Sequence, residues 1–215
     1  MTVPTAPTVT RTVQDMATEV KRLFGDESGV QLLDSDIIRW INYGQMEICS
    51  KTRILKSIQE GTLIEGTHIY PTPTDYLEME AVWIDGIMLQ ATSWEEFRQS
   101  SYVGTEAGTP RSWFLYANQI NLWPIPNKPL GLRIFYACRP IDVSTLSDYL
   151  AIPDRYFDRL KEYCMSKAYE LDEDWTAHQV QREQMESNIR EMANADSNVQ
   201  GPYLTARDPE DEWDG

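Results

Sequence analysis

Residues 108–140 read GTPRSWFLYANQINLWPIPNKPLGLRIFYACRP, and the fold class turns on them. Leu130, Leu132, Ile134 and Tyr136 fall on alternate positions, with Gly131, Arg133 and Phe135 between them. A period of two sets each group on its own face of a strand. Upstream, residues 113–116 are apolar throughout, and an apolar run resumes at 120–123 after Ala117, Asn118 and Gln119. Two such runs around a short polar-leaning break read as a hairpin. Pro124, Pro126 and Pro129 offer no N–H, so they take the chain out of the ladder before Leu130. The stretch predicts a small antiparallel sheet.

Outside this sheet the apolar period changes to that of helices. Val13, Met16, Ala17, Val20, Leu23 and Phe24 form one stripe, with Thr12 as N-cap and Gly25 as C-terminal stop. Asp34-Ser35 offers a second cap, followed by Ile37, Ile38, Trp40, Ile41 and Ile48, so this helix runs to Lys51 or beyond. Short extended pieces begin near Ile58. Pro71 and Pro73 break the first, Asp85-Gly86 marks a turn after 79–84, and residues 93–97 (Ser-Trp-Glu-Glu-Phe) read as a helical turn. Five or six strands are expected. Pro153 and Asp154 then open another helix, with Phe157, Leu160, Cys164, Ala168 and Leu171 on one face. Its pattern loosens at LDEDWTAH and resumes at Met185, Ile189 and Met192, giving one bent helix or two. The predicted class is α+β: a helical bundle from both chain ends, an inserted small antiparallel β domain and an extended C-terminal arm. The expected segments are 1–11 extended, 12–56 helical, 57–140 β, 141–196 helical and 197–215 an acidic arm. Trp40, Ile41, Phe157 and Leu160 are the expected bundle core.

The chain has 215 residues, a net charge of −15 and 41% apolar residues. The four segments 1–56, 57–140, 141–196 and 197–215 carry 0, −4, −7 and −4. Acidity therefore builds toward the C-terminus, and such a surface does not cluster the Lys and Arg that tight phosphate binding needs. DNA could pass such a surface without sticking. Cys49, Cys138 and Cys164 are widely spaced, odd in number and set among mostly apolar neighbours. They read as buried small hydrophobes rather than a disulfide framework. The first ten residues lack the basic start and apolar core of a secretion signal, and no apolar run reaches the length of a membrane span. The expectation is a reducing, soluble compartment.

A search for catalytic groups finds no convergent set. His68 and His178 have no His or Cys at ligand spacing, no glycine-rich loop leads into a Lys-Ser/Thr pair, and no serine has a nucleophile-elbow context. The acidic runs 172–174 and 208–214 lack the alternation and glycine of a calcium loop and read as solvated ends. The expectation is a protein without enzymatic activity, cofactor or metal. Strand aromatics such as Trp113, Tyr116 and Trp123 are ordinarily core or cross-strand pairs, the alternative being a carbohydrate-binding platform. Tyr203, Leu204 and Trp213 sit in the acidic, proline-containing arm, where nothing nearby builds a core, and are candidate anchors for a partner.

The order of DIIRWINYGQMEI, YPTPTDYLEMEAVWIDGIML, the Trp-Glu-Glu-Phe turn, the 108–140 stretch and a helix opened by Ile152-Pro153 resembles the head-to-tail adaptor, or connector, proteins of tailed bacteriophages. The matching elements are an early helical Trp-Ile-Asn, a Gly-Thr-Pro before an aromatic strand, a Leu-Trp-Pro-Ile-Pro at the next strand's end, and Arg139-Pro140 closing the sheet. The resemblance spans roughly residues 32–171. It implies a structural protein of the virion neck, made in the host cytoplasm, forming a dodecameric ring beneath the portal. The implied partners are the portal protein, a tail or nozzle protein, and further copies of the chain, with DNA threading the lumen without tight binding and no membrane involved. The arm would reach the portal through Tyr203, Leu204 and Trp213, and the Asn127-Lys128 loop would face the tail. Another tail component, such as a tail-completion or nozzle protein, is the alternative within the virion.

Overall fold

Thr12 and Gly25 bound the first helix as their chemistry predicts. The structure, a computed structural model, describes residues 9–99 and 106–199. Helix α1 (Val13–Phe24) starts with a reciprocal capping box: the Asp15 N–H donates to the Thr12 hydroxyl, and the Thr12 N–H donates to the Asp15 carboxylate at 2.8 Å. Gly25 takes a left-handed φ of 89° and returns its N–H to the Lys21 carbonyl. The buried stripe is Val13, Met16, Ala17 and Val20. Leu23 departs from expectation, because the last turn brings Phe24 against Tyr169 at 5.8 Å and leaves Leu23 49% exposed.

Helix α2 (Asp34–Thr52) takes the expected cap residue Asp34 as its first residue, since the Leu33 carbonyl accepts from the amides of Asp36 and Ile37. Asp34 instead forms an ion pair with Lys21 at 2.6 Å. A 3-10 turn (Asp154–Tyr156) leads into α4 (Phe157–Leu171), and α5 (Trp175–Val199) follows; α3 (Trp94–Gln99) is the short helical turn expected near Trp94. The loosening at LDEDWTAH is thus a break between two helices. Leu171 was expected on the core face but is 51% exposed, since it closes α4 at that break. The segment expected as an arm from 197 starts as helix, because α5 continues to Val199. Gly44 is buried in α2, and a Cβ there would meet Leu160 at 2.6 Å and the Tyr163 ring at 2.8 Å. α2 and α4 therefore approach closely at this point.

The described residues within 1–52 and 142–215 form one compact unit and those within 53–141 a second. The second unit holds ten strands among its described residues, against the five or six expected. They are β1 (Lys56–Leu63), β2 (Ile69–Pro71), β3 (Tyr76–Ile84), β4 (Ile87–Met88), β5 (Gln90–Ala91), β6 (Ala107–Gly108), β7 (Ser112–Tyr116), β8 (Gln119–Trp123), β9 (Ile125–Pro126) and β10 (Leu130–Cys138). Four of these have two residues, too short to carry a period. One sheet runs β1-β10-β3-β4, antiparallel throughout; a second runs β2-β8-β7-β5, with β5 and β7 parallel; β6 and β9 pair in parallel. The first two share a core in which Leu130, Leu132, Ile134 and Tyr136 meet Trp113, Ile120 and Leu122.

The 117–118 turn is tighter than the three-residue break expected. Ala117 and Asn118 both take positive φ, 50° and 57°, and Gln119 already pairs with Tyr116. Pro126 also departs from expectation by joining a ladder. Ile125 and Asn127, on either side of it, donate to the carbonyls of Glu106 and Gly108, so the missing proline N–H falls where no donor is needed. Cys49 and Cys164 are buried, but Cys138, in the final strand position, is partly exposed.

Candidate interaction surfaces

In the helical unit, Trp40 (6% exposed) and Ile41 lie on the buried face of α2, and Phe157 and Leu160 on that of α4. α5 is fastened over these helices by Met185 and Ile189, both buried, and by an ionic clamp. Arg182 donates to both oxygens of Glu47 at 3.0 and 3.1 Å, and Lys51 donates to Glu47 at 2.8 Å. Burial pushes the Glu47 carboxyl up, but its hydrogen bonds to Arg182 and Lys51 and their charges outweigh that, so it titrates below the ordinary glutamate range. The Arg182 guanidinium lies 5.5 Å from the Tyr163 ring centroid. Burial, then the charge of Glu47, raise the Tyr163 phenol to about 12.

The N-terminal edge of this unit is held by carboxylates. Asp154 accepts from the Thr10 amide at 3.0 Å, the Thr10 hydroxyl at 2.5 Å and the Arg11 amide at 3.3 Å. Those bonds, with Thr10 foremost, lower its pKa. Asp148 accepts from the amides of Ser144 and Thr145 at 2.7 and 2.8 Å, while its carbonyl receives the Val13 amide at 3.0 Å.

In the β unit, Trp113 and Trp123 are buried, at 6% and 9% exposure, whereas Tyr116 is 53% exposed. Helix α3 covers one face of the β7–β8 hairpin: Phe97 stacks on Phe114 at 4.6 Å, and Trp94 lies 5.0 Å from Tyr116. The aromatic density of the opening stretch is thus largely spent on packing, on the shared core on one side and α3 on the other. Asn127 and Lys128 are exposed, and the Asn127 amide ties their loop to Gly108 at 3.2 Å. Tyr203, Leu204 and Trp213 lie outside the described residues.

Among the described residues the structure does not bring together the titratable groups weighed in the sequence, and the acidic run 208–214 lies outside them. His68 and His178 belong to different units, and His178 Nδ1 sits 2.8 Å from the Ser166 carbonyl. Asp174 caps α5 by accepting from the Ala177 amide, and Asp172 accepts from Gln31. Among the described residues no group of three or more His, Cys, Asp or Glu is placed to hold a metal ion, and no helix is long and apolar enough to cross a membrane.

Sequence reasoning missed three exposed apolar side chains on the helical unit. Tyr43 is 59% exposed, Leu171 51% and Trp175 62%. A groove of about 360 Å³ runs between α2 and α4, lined by Arg39, Trp40, Tyr43, Lys167, Glu170 and Leu171. The only signal in the sequence was the loss of periodicity at LDEDWTAH, where Trp175 stands in a polar run.

Among the described residues the arrangement is of packed units with exposed apolar and polar faces, and no convergent set of reactive groups is found there. The model of a family described as SU10 adaptor protein matches residues 11–206. No curated protein matches the chain.

Proposed function

The chain belongs to the SU10 adaptor protein family, a family of structural phage head-to-tail adaptors, and from that premise we propose that it forms a dodecameric ring beneath the portal. The ring joins capsid to tail and lines the channel through which DNA leaves. The observation that carries this reading is the extent of the family match, which runs from the residue before the N-cap of α1 to beyond the last described residue. Ring subunits need two different complementary surfaces, and a chain divided into a helical and a β unit has separate bodies on which to place them. A net charge of −15 suits a channel that DNA traverses without being held.

Within this reading the arm from residue 200 onward supplies the portal contact, with Tyr203, Leu204 and Trp213 as its anchors. The Asn127-Lys128 loop, exposed and tied to β6 through its backbone, faces the tail. The burial of Trp113 and Trp123 speaks for the aromatic sheet as a rigid body rather than a sugar platform. Light scattering or native mass spectrometry of the protein, alone and mixed with the portal ring of the same virus, tests the proposal. Monomers or weak oligomers that join the portal in ring stoichiometry are expected. A protein that ignores the portal at micromolar concentration would overturn it.

A further inference from the structure

The β1-β10-β3-β4 sheet turns Leu132, Ile134 and Tyr136 toward the core, so alternation sends Gly131, Arg133 and Phe135 to its other face. On that face Glu60, Arg133 and Trp83 stand side by side, because Glu60 pairs with Arg133 and Arg133 with Trp83. The next position along β10 on this face is Gly131, opposite Thr62. With no side chain there the row is interrupted. A hollow of about 290 Å³ opens, lined by Glu60, Trp83, Asp85, Gly86, Gly131 and Arg133.

Its rim is held in place. The Gly131 amide donates to Asp85 Oδ1 at 2.7 Å, and the Asp85 amide donates to the Gly131 carbonyl at 2.9 Å. A Cβ at Gly131 would come within 3.1 Å of that Oδ1, so glycine both keeps the hollow open and seats the carboxylate beside it. Glu60 and Arg133 fix each other at 2.8 Å. Trp83 packs 5.8 Å from Phe135 and is half-buried, unlike the buried Trp113 and Trp123. The hollow thus joins a partly exposed indole to two carboxylates that accept and a guanidinium that donates.

That mixture selects a ligand class. A small anion would meet Glu60 and Asp85, and a small cation would meet Arg133. A hydroxyl both donates and accepts, so it suits a rim that offers both, and the C–H face of a sugar ring suits an indole. The volume is at the low end of small-molecule sites, about 300–1,000 Å³, which leaves room for one ring rather than a chain. We propose that this hollow binds a neutral pyranose unit of a glycan, with its C–H face on Trp83 and its hydroxyls on Asp85, Glu60 and Arg133. The site belongs to the β unit alone and does not depend on the adaptor reading.

Saturation-transfer NMR of the full chain with glucose, galactose and N-acetylglucosamine, each at tens of millimolar, tests this. Transfer to the ring C–H protons of at least one sugar is expected, with shift changes confined to the Trp83 indole and the amides of Gly86 and Gly131. Gly131→Val, which fills the hollow, should abolish the transfer. Glu60→Gln, at an exposed side chain, should weaken binding about tenfold by removing a charged acceptor. Should Gly131→Val fail to fold, Trp83→Leu takes its place beside Glu60→Gln. No transfer to any of the three sugars, or transfer unchanged by these substitutions, would overturn the inference. So would choline shifting the Trp83 signals where the sugars do not, since the indole would then serve a cation. A protein that ignores the portal yet binds sugar would sink the adaptor reading alone, and the reverse result would sink this one alone.

Discussion

The helical unit carries 12 basic side chains against 25 acidic ones, whereas the β unit carries 7 against 9. Their ion pairs differ as well. In the helical unit several pairs lie three or four residues apart on one helix, as with Arg39–Asp36, Lys51–Glu47, Arg159–Glu162 and Lys167–Glu170. In the β unit they join different strands or loops, as with Lys56–Glu80 and Arg133–Glu60. The helical unit thus pairs many of its cations within one helix, others such as Arg182 with Glu47 between helices, and still carries a large acidic excess. The β unit is close to neutral and relies on shared apolar and aromatic burial. One chain has separated a charged body from a nearly neutral one, and the boundary falls where the residue periodicity changes.

The strongest way to break this comparison is to empty the core of one unit and watch the other. Trp40→Ala removes a 6% exposed ring that floors the α2–α4 groove, and should destabilise the helical unit by about 3–5 kcal/mol. Denaturant unfolding gives the magnitude, and hydrogen exchange resolved by residue gives the location. Slow amides in β3 and β10 should keep their protection. A near-neutral result would move Trp40 to the surface, and equal loss of protection in both units would show that they unfold as one.

The same contrast explains what the sequence made legible. Helical signals are local: Thr12 with Asp15, Gly25, and the buried positions of α2 can be recognised without knowing what they pack against. β10 was legible too, because nine residues carry a clear alternation. The two-residue strands were not, since β5 with β7 and β6 with β9 are defined by partners remote in sequence. Pro126 looked like a ladder breaker because the rule concerns its own N–H, and the register that makes that N–H unnecessary is a tertiary fact. Exposure at Leu23 and Leu171 was hidden for a related reason: periodicity gives a helix face, and the turns that end a helix decide how far that face stays covered. The surface at Trp175 was illegible because polar neighbours hid an aromatic that only the fold shows to be unpartnered by a core.

A milder change sharpens the comparison from the β side. Ala117 opens the hairpin turn at φ 50°, where a Cβ is strained and glycine is not. Ala117→Gly should therefore stabilise the β unit by about 0.5–1 kcal/mol, the relief of strain exceeding the extra freedom gained by the unfolded chain. The shift is read as a higher denaturant midpoint for β-unit probes, with helical probes unmoved. A loss of stability would mean that the turn exploits its alanine methyl, and that this hairpin is less local than its two-residue length implies.

The smallest effect is a pH response confined to the N-terminal edge of the helical unit. Asp148 titrates at about 2, held down first by the Ser144 amide and then by the Thr145 hydroxyl and amide. Its folded value lies below the ordinary aspartate value of about 3.9. Its contribution is therefore complete above that ordinary value and disappears as the pH falls through about 2. Those bonds shape the 144–148 loop, whose carbonyls at Leu146 and Asp148 receive the amides of Gln14 and Val13. Protonation should loosen that loop and with it the seating of the first turn of α1. NMR titration of the Asp148 carboxyl is expected to give a midpoint near 2, with faster exchange at the Val13 and Gln14 amides over the same range. Asp148→Asn should show the looser amides at neutral pH and lose their dependence on pH, while β10 amides stay protected in both proteins. An Asp148 midpoint near 4 would mean that the Ser144 and Thr145 bonds do not favour the ionised carboxylate, and would leave the acidic excess of the helical unit without this structural use.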